Sequence, residues 1–252
     1  MRRLHLSFAA AAIALAATLA PAAAAPDPVA RALADPGRAM HRASDARRHP
    51  AELIRLSGVR EGQRVLDLIP GDGYWTRIFS SIVGPRGKVY AVWPELYAKL
   101  AMGNVATLRG LSASPDHANV VTLVQPGNAL TAPEPLDLVW TSQNYHDYAD
   151  TFMGSPGPEA LARAAYKVLK PGGIFMVIDH QAAPGRGMAD TEALHRIDPQ
   201  IVLRQARAAG FQLAGSSKVL INPQDPLSIK VFDPKVRGHT SQFAFKFRKP
   251  LR

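Results

Sequence analysis

Apolar positions change period along the chain, and each change marks an element. Arg64-Val65-Leu66-Asp67-Leu68 is a short apolar run of the buried-strand type, Tyr74 to Val83 carries apolar residues at helical spacing, and Gly84-Pro85-Arg86-Gly87 turns the chain into a second strand, Lys88 to Val92. This predicts one strand–helix–strand unit. The alternation continues with a weak helix around Leu96 to Arg109, strands at Val120 to Val124 and Leu136 to Thr141, a helix from Pro158 to Leu169 and a strand from Ile174 to Asp179. A helix from Asp198 to Ala209, stopped by Gly210, and a strand near Lys218 to Ile221 follow. Upstream, Pro50 to Gly58 has Pro at a helix start and Gly just past its end. In Gln242-Phe243-Ala244-Phe245-Lys246-Phe247-Arg248 the three Phe alternate with Ala and Lys, a period-2 strand; with no helix before it, the simplest pairing is antiparallel. Strands alternating with helices predict an α/β, Rossmann-like fold: a mostly parallel sheet, helices on both faces and an antiparallel last strand.

The first residues have a different pattern. Met1-Arg2-Arg3 is a positive start, Phe8 to Ala20 is apolar except for Thr18, and Ala22 to Ala25 supplies small residues for cleavage. This three-part pattern is that of a secretory signal peptide cut after Ala24, which predicts export, to the periplasm. An uncleaved anchor is the competing reading, but a span needs about 20 strongly apolar residues. The expected organisation is a signal peptide over 1–24, an N-terminal helical extension over 25–57 and one main domain over 58–252.

Composition adds exclusions. The chain has 252 residues, 47% of them hydrophobic, and no Cys, so disorder, disulfide scaffolds and thiolate chemistry are all excluded. The formal charge of +10 falls to +8 once Arg2 and Arg3 leave with the signal peptide. The remaining basic residues, such as Arg47-Arg48, Arg204, Arg207 and the tail from Lys246, form no aromatic-interleaved stripe, so no nucleic-acid partner is expected. An anionic membrane surface is a weaker possibility beside a plain solvated surface. Nothing in the pattern fixes an oligomeric state.

Ligands of such sheets sit at the carboxyl ends of the strands, so the loops there carry the candidate chemistry. After the first strand, Ile69-Pro70-Gly71-Asp72-Gly73 opens a helix, and its glycines permit a tight turn and close backbone approach. Its partner motif, Leu169-Lys170-Pro171-Gly172-Gly173, leads into the fifth strand about 100 residues later.

Val65-Leu66-Asp67-Leu68-Ile69-Pro70-Gly71-Asp72-Gly73, Asp137-Leu138-Val139-Trp140 and Leu169-Lys170-Pro171-Gly172-Gly173, in this order and spacing, resemble the class I S-adenosylmethionine-dependent methyltransferases. More narrowly, the chain resembles a group of exported methyltransferase-like proteins with a Pro-Gly-Asp-Gly-Tyr loop. The resemblance runs from about Gly58 to Phe247 and implies a seven-stranded sheet and S-adenosylmethionine as cofactor. It assigns cofactor contacts to Asp67, Pro70, Gly71, Asp72, Gly73, Trp93, Glu95, Asn128 and Asn144. Three positions depart from the family. Ile69 stands where the loop normally begins with Gly, Trp93 where an acidic residue accepts the ribose hydroxyls, and Asn128 where an acidic residue often meets adenine.

The loop after the fourth strand, Ser142 to Tyr148, is where such enzymes hold the acceptor. His146 is the candidate base, with Asp147 or Asp179 to orient it; the alternative is that His146 only caps or packs. His146, Asp147, Asp179, His180, His195 and Asp198 could also gather round a metal, or simply line a polar pocket, and no metal is expected. The long loop Asn222 to Thr240, with Asp225, Asp233, Arg237 and His239, is a candidate lid, and Arg237 is suited to an acceptor carboxylate or phosphate. The function expected is methyl transfer to a small-molecule acceptor. The alternative is an exported noncatalytic binding protein on a degenerate form of the same fold. Ile69 and Trp93 discriminate: the enzyme needs them to line the cleft, the binder to fill it.

Overall fold

A computed structural model describes residues 27–127 and 130–252; the signal-peptide segment and Asn128 lie outside the described residues. Seven strands form one sheet: β1 (Arg64–Leu68), β2 (Lys88–Pro94), β3 (Val120–Gln125), β4 (Leu136–Ser142), β5 (Leu169–His180), β6 (Gln212–Ser217) and β7 (Gln242–Arg248). Their order is β3-β2-β1-β4-β5-β7-β6. The pairs β1–β2, β1–β4, β2–β3 and β4–β5 are parallel, and β7 is antiparallel to both β5 and β6. The order reverses between β2-β1 and β4-β5, which puts the topological switch point, the usual ligand crevice, at the carboxyl ends of β1 and β4.

Helices cover both faces. On one lie α1 (Pro28–Ala34), α3 (Pro50–Ser57) and α4 (Tyr74–Val83); α5 (Glu95–Leu100), α7 (Pro158–Val168) and α9 (Pro199–Ala208) pack on the other, and α6 (Met102–Ala113) packs against β3. The short α2 (Asp45–Arg48) and α8 (Thr191–Leu194) lie at the rim. Strand alternation divides the core accordingly. Leu66, Val92, Val139, Phe175 and Phe247 are buried in one cluster, and Val65, Val89, Leu138, Trp140 and Met176 in the other. Trp75, Ile78, Phe79, Ile82 and Val83 of α4 give the second cluster a continuous apolar stripe, each fully buried side chain of this size contributing about 1.5–3 kcal/mol.

The N-terminal extension belongs to the same core: Val29 and Ala32 of α1 are buried against α4. Arg38 donates two hydrogen bonds to Asp45, at 2.7 and 3.3 Å, and Asp45 also accepts from the Tyr74 hydroxyl at 2.6 Å. The extension is thereby clamped to the first residue of α4, just above the crevice.

Two elements differ from the sequence reading. The helix expected over Leu96–Arg109 is divided at Ala101, whose ψ of 33 ends α5 before α6 begins. The sixth strand is Gln212–Ser217, not Lys218–Ile221. Leu220 is buried, but as part of a turn that folds its side chain under the sheet edge, whereas the polar Gln212–Ser217 is an edge strand held by its backbone ladder to β7.

Candidate active site

The loop between β1 and α4 is shaped by its backbone. Gly71 and Gly73 have φ of +60 and +90. A Cβ on Gly71 would meet nothing within 4 Å, so the chain here faces open space, whereas one on Gly73 would touch Leu108 and Leu111. Ile69 adopts the left-handed φ of +53 despite its branched side chain, which is 6% exposed. The conformation that glycine normally supplies is thus retained at a cost of about 1–2 kcal/mol. Pro70 is buried, and Asp72 is exposed, 3.3 Å from Nε2 of the buried His41.

The other cofactor candidates divide by environment. Asp67 is buried beneath α4, where its carboxylate accepts from the Thr76 hydroxyl at 2.7 Å; burial raises its pKa to about 7. Trp93 is fully buried against Tyr97, ring centroids 5.9 Å apart, and its Nε1–H has no partner among the described residues. That makes it a donor where the family has an acceptor, with its ring packed in the core. Glu95, the first residue of α5, is exposed and is the carboxylate nearest in sequence to the end of β2. Asn144 is buried and donates to Asp147 at 3.4 Å.

Above β4 and β5 lies a cavity of about 510 Å³. Trp75, Gln143 and Phe232 form part of its wall, and Arg47, Arg48 and Arg237 also line it; none of its lining residues is Asp or Glu. None of those three arginines is in an ion pair among the described residues. Arg48 lies 4.6 Å from the centre of the Tyr74 ring, and burial lowers its pKa. Arg47 and Arg48, surface charge by sequence alone, both line this cavity: Arg48 is half-buried over Tyr74, whereas Arg47 stays exposed at the cavity edge. Gln143, whose φ is +66, turns the chain off the end of β4 and was not singled out from sequence, since nothing in its neighbours marks a strained residue.

His146 and Asp147 lie at the rim of this region, both buried. His146 Nδ1 lies 2.8 Å from Asp179 Oδ1, and Nε2 lies 3.0 Å from Asp147 Oδ1. Burial disfavours the charged ring, but the two carboxylates outweigh it and hold the His146 pKa up at about 10. Burial likewise opposes charge on Asp147, yet His146 and His195 keep its carboxyl at about 2. A ring engaged at both nitrogens and held protonated is not an available base, which revises the role expected for His146. The imidazole that does line the cavity is His180, with Nδ1 2.8 Å from the Thr240 hydroxyl and a pKa pushed well below normal by burial.

Of the other residues considered, Asp198 caps α9 through the Gln200 N–H and accepts from Gly185. Arg196 makes a fully buried, bidentate pair with Asp225 at 2.8 and 2.9 Å. That pair fastens the long loop Asn222 to Thr240, which brings Arg237 and Thr240 to the cavity; Asp233 accepts from the Lys235 N–H and His239 is exposed.

This sheet order, with a glycine turn at the switch point, defines a class I S-adenosylmethionine-dependent methyltransferase fold. The model of the ubiE/COQ5 methyltransferase family matches residues 44–190, and the chain belongs to that family. The ubiquinone/menaquinone biosynthesis C-methyltransferase UbiE of Pseudomonas savastanoi pv. phaseolicola is 33% identical over 129 residues, covering 50% of this chain and 45% of that protein. UbiE of Yersinia enterocolitica is 37% identical over 132 residues, covering 50% and 46%. The chain thus spans about half the length of the curated relatives it matches. Among solved structures, a SAM-dependent methyltransferase from Aquifex aeolicus has a TM-score of 0.56 at 18% identity, covering 88% of this chain and 98% of that one. The [4+2]-cyclase SpnF has 0.59 at 19%, covering 85% and 82%. At these identities the likeness is one of fold.

The methyl donor of the superfamily is S-adenosylmethionine. The open backbone at Gly71 fits its methionine end. At the ribose end Trp93 supplies no carboxylate, so a donor held here has Asp72 and Glu95, both exposed, as the acidic groups nearest the loop and the end of β2.

Proposed function

We propose that this protein transfers the methyl group of S-adenosylmethionine to an anionic small molecule held in the cavity above β4 and β5. The observation that carries the acceptor class is the wall itself, with three arginines and no carboxylate. Guanidinium groups favour carboxylate and phosphate oxygens, and a cationic cavity attracts such a molecule and rejects a cation. Bound donor supplies an electrophilic methyl carbon; the protein's own task is to align the acceptor and shed water. Trp75 and Phe232 give the acceptor an apolar face to lie on. An acceptor that carries a proton meets His180, kept neutral by burial and oriented by Thr240. His146 and Asp147 act behind it as a fixed polar floor.

The same reading includes export. The Arg2-Arg3 start, the alanine-rich run and the small residues before Pro26 support a periplasmic protein that begins near Ala25. Amino-terminal sequencing of the chain expressed in a Gram-negative host checks this; an unprocessed Met1 would contradict it.

Methyl-labelled S-adenosylmethionine, offered with a panel of small carboxylates, phosphates and their neutral or cationic analogues, tests the acceptor class. Label should pass to anionic members only, and Arg237→Ala should reduce transfer at least about tenfold, the scale of one charge-assisted contact. Equal transfer to neutral analogues would overturn it.

A further inference from the structure

Beside the cavity, three side-chain atoms from two distant segments converge. His146 Nε2 lies 3.0 Å from Asp147 Oδ1 and 3.3 Å from His195 Nδ1, and the last two atoms are 3.7 Å apart. Ligand atoms about 2.1 Å from a common ion stand about 3.0 Å apart at right angles and about 3.4 Å at the tetrahedral angle; two edges fall in this range and the third needs an opening to about 120°, so the triangle can surround one ion. We propose that His146, Asp147 and His195 bind a divalent transition-metal ion, Zn2+ best matching the donor set, with Asp179 as the carboxylate that orients His146.

The surroundings support each ligand. Asp179 accepts the backbone N–H of His146 at 2.8 Å and lies 2.8 Å from Nδ1, which orients the ring so that Nε2, once the ion has displaced its proton, faces Asp147 and His195 as a ligand. Asn144 donates to the second oxygen of Asp147, leaving Oδ1 for the ion. His195 ends α8 in the left-handed region, φ 54 and ψ 49, a conformation costly for a non-glycine residue that brings its Nδ1 back toward the other two. Two buried carboxylates balance a doubly charged ion, which takes the place of the proton on His146 Nε2. Imidazole and carboxylate together suit Zn2+ better than Ca2+ or Mg2+, which prefer all-oxygen sets.

Three protein ligands leave a position for water or an acceptor oxygen. The site adjoins the cavity on two sides. Phe232, in its wall, packs on the His195 ring at 4.9 Å, and the His180 ring is 6.1 Å from that of His146. Neither residue number nor spacing forms a compact motif, because 49 residues separate His146 from His195.

The test uses the full chain without a histidine tag, stripped with a chelator, loaded with Zn2+, desalted and assayed for metal by mass spectrometry. The wild type should retain about one equivalent, and His195→Ala and Asp147→Asn less than about a tenth of that. Asp179→Asn should still bind Zn2+, with an affinity about 10- to 100-fold weaker by calorimetry, as expected when an orienting carboxylate is lost. His239→Ala, altering an exposed histidine, should match the wild type. Circular dichroism of the stripped proteins checks that His195→Ala, the most exposed ligand, remains folded. Retention below about a tenth of an equivalent by the wild type, or wild-type retention by a folded His195→Ala, would overturn the site.

Discussion

One carboxylate, that of Asp179, holds His146 twice: one oxygen accepts the backbone N–H at 2.8 Å and the other lies 2.8 Å from the ring Nδ1. The pair joins the end of β5 to the loop after β4, so the local geometry of that loop depends on it. Asp179→Ala leaves the buried Nδ1 and the buried N–H of His146 without a partner and should cost about 3–5 kcal/mol. Asp179→Asn, which keeps an acceptor oxygen, should cost less. Urea unfolding of the two variants measures both; equal loss in the two would show that shape, and not the acceptor, matters at this position.

A second buried pair secures the cavity's outer wall. Arg196 and Asp225 are both fully buried, and Asp225 also accepts backbone N–H groups from Leu227 and Ser241. Asp225→Ala should therefore destabilise the chain by about 3–5 kcal/mol, because it strands a guanidinium in the interior. Protease nicking should appear first within Asn222 to Thr240, and gel analysis of timed digests reads that directly.

Asp67 makes stability depend on pH. Its folded pKa of about 7 lies above the unfolded value of 3.8, because burial outweighs the Thr76 hydrogen bond. Its contribution is fully present below pH 3.8 and is lost as pH rises through about 7. Over that interval this one group should remove on the order of 4 kcal/mol at most. Asp67→Asn should flatten the wild-type loss of melting temperature between pH 4 and 7; parallel curves would contradict the assignment.

Much of the fold was legible in the sequence for a simple reason. The strands β1, β2, β4 and β5 are buried on both faces, so Val65-Leu66, Val89 to Val92 and Val139-Trp140 announce themselves as apolar runs. Gly71 and Gly73 sat where a strand meets a helix, and the three Phe of β7 alternate. The sixth strand was misplaced because an edge strand needs only backbone pairing, and Gln212–Ser217 carries little apolar signal. The site was less legible. Gln143 and His195 owe their placement to left-handed backbone conformations that no residue pattern encodes, and nothing in the Arg47-Arg48 pair itself marks it as lining a cavity. His146 stands out in the sequence as a candidate base, but its flanking carboxylates come partly from β5, 33 residues away, and they favour its protonated form.

The crevice after β1 accepts S-adenosylmethionine. Calorimetric titration of the chain with S-adenosylmethionine and S-adenosylhomocysteine, alongside Gly71→Arg, tests it most directly. Gly71 faces open space, so the variant loses no core contact and costs about 1–2 kcal/mol in backbone strain, while its side chain projects into the crevice. Saturable binding of both ligands by the wild type, weakened at least about tenfold in a folded Gly71→Arg, is the predicted result. No heat from the wild type at ligand concentrations of about 1 mM, or unchanged affinity in the variant, would contradict it.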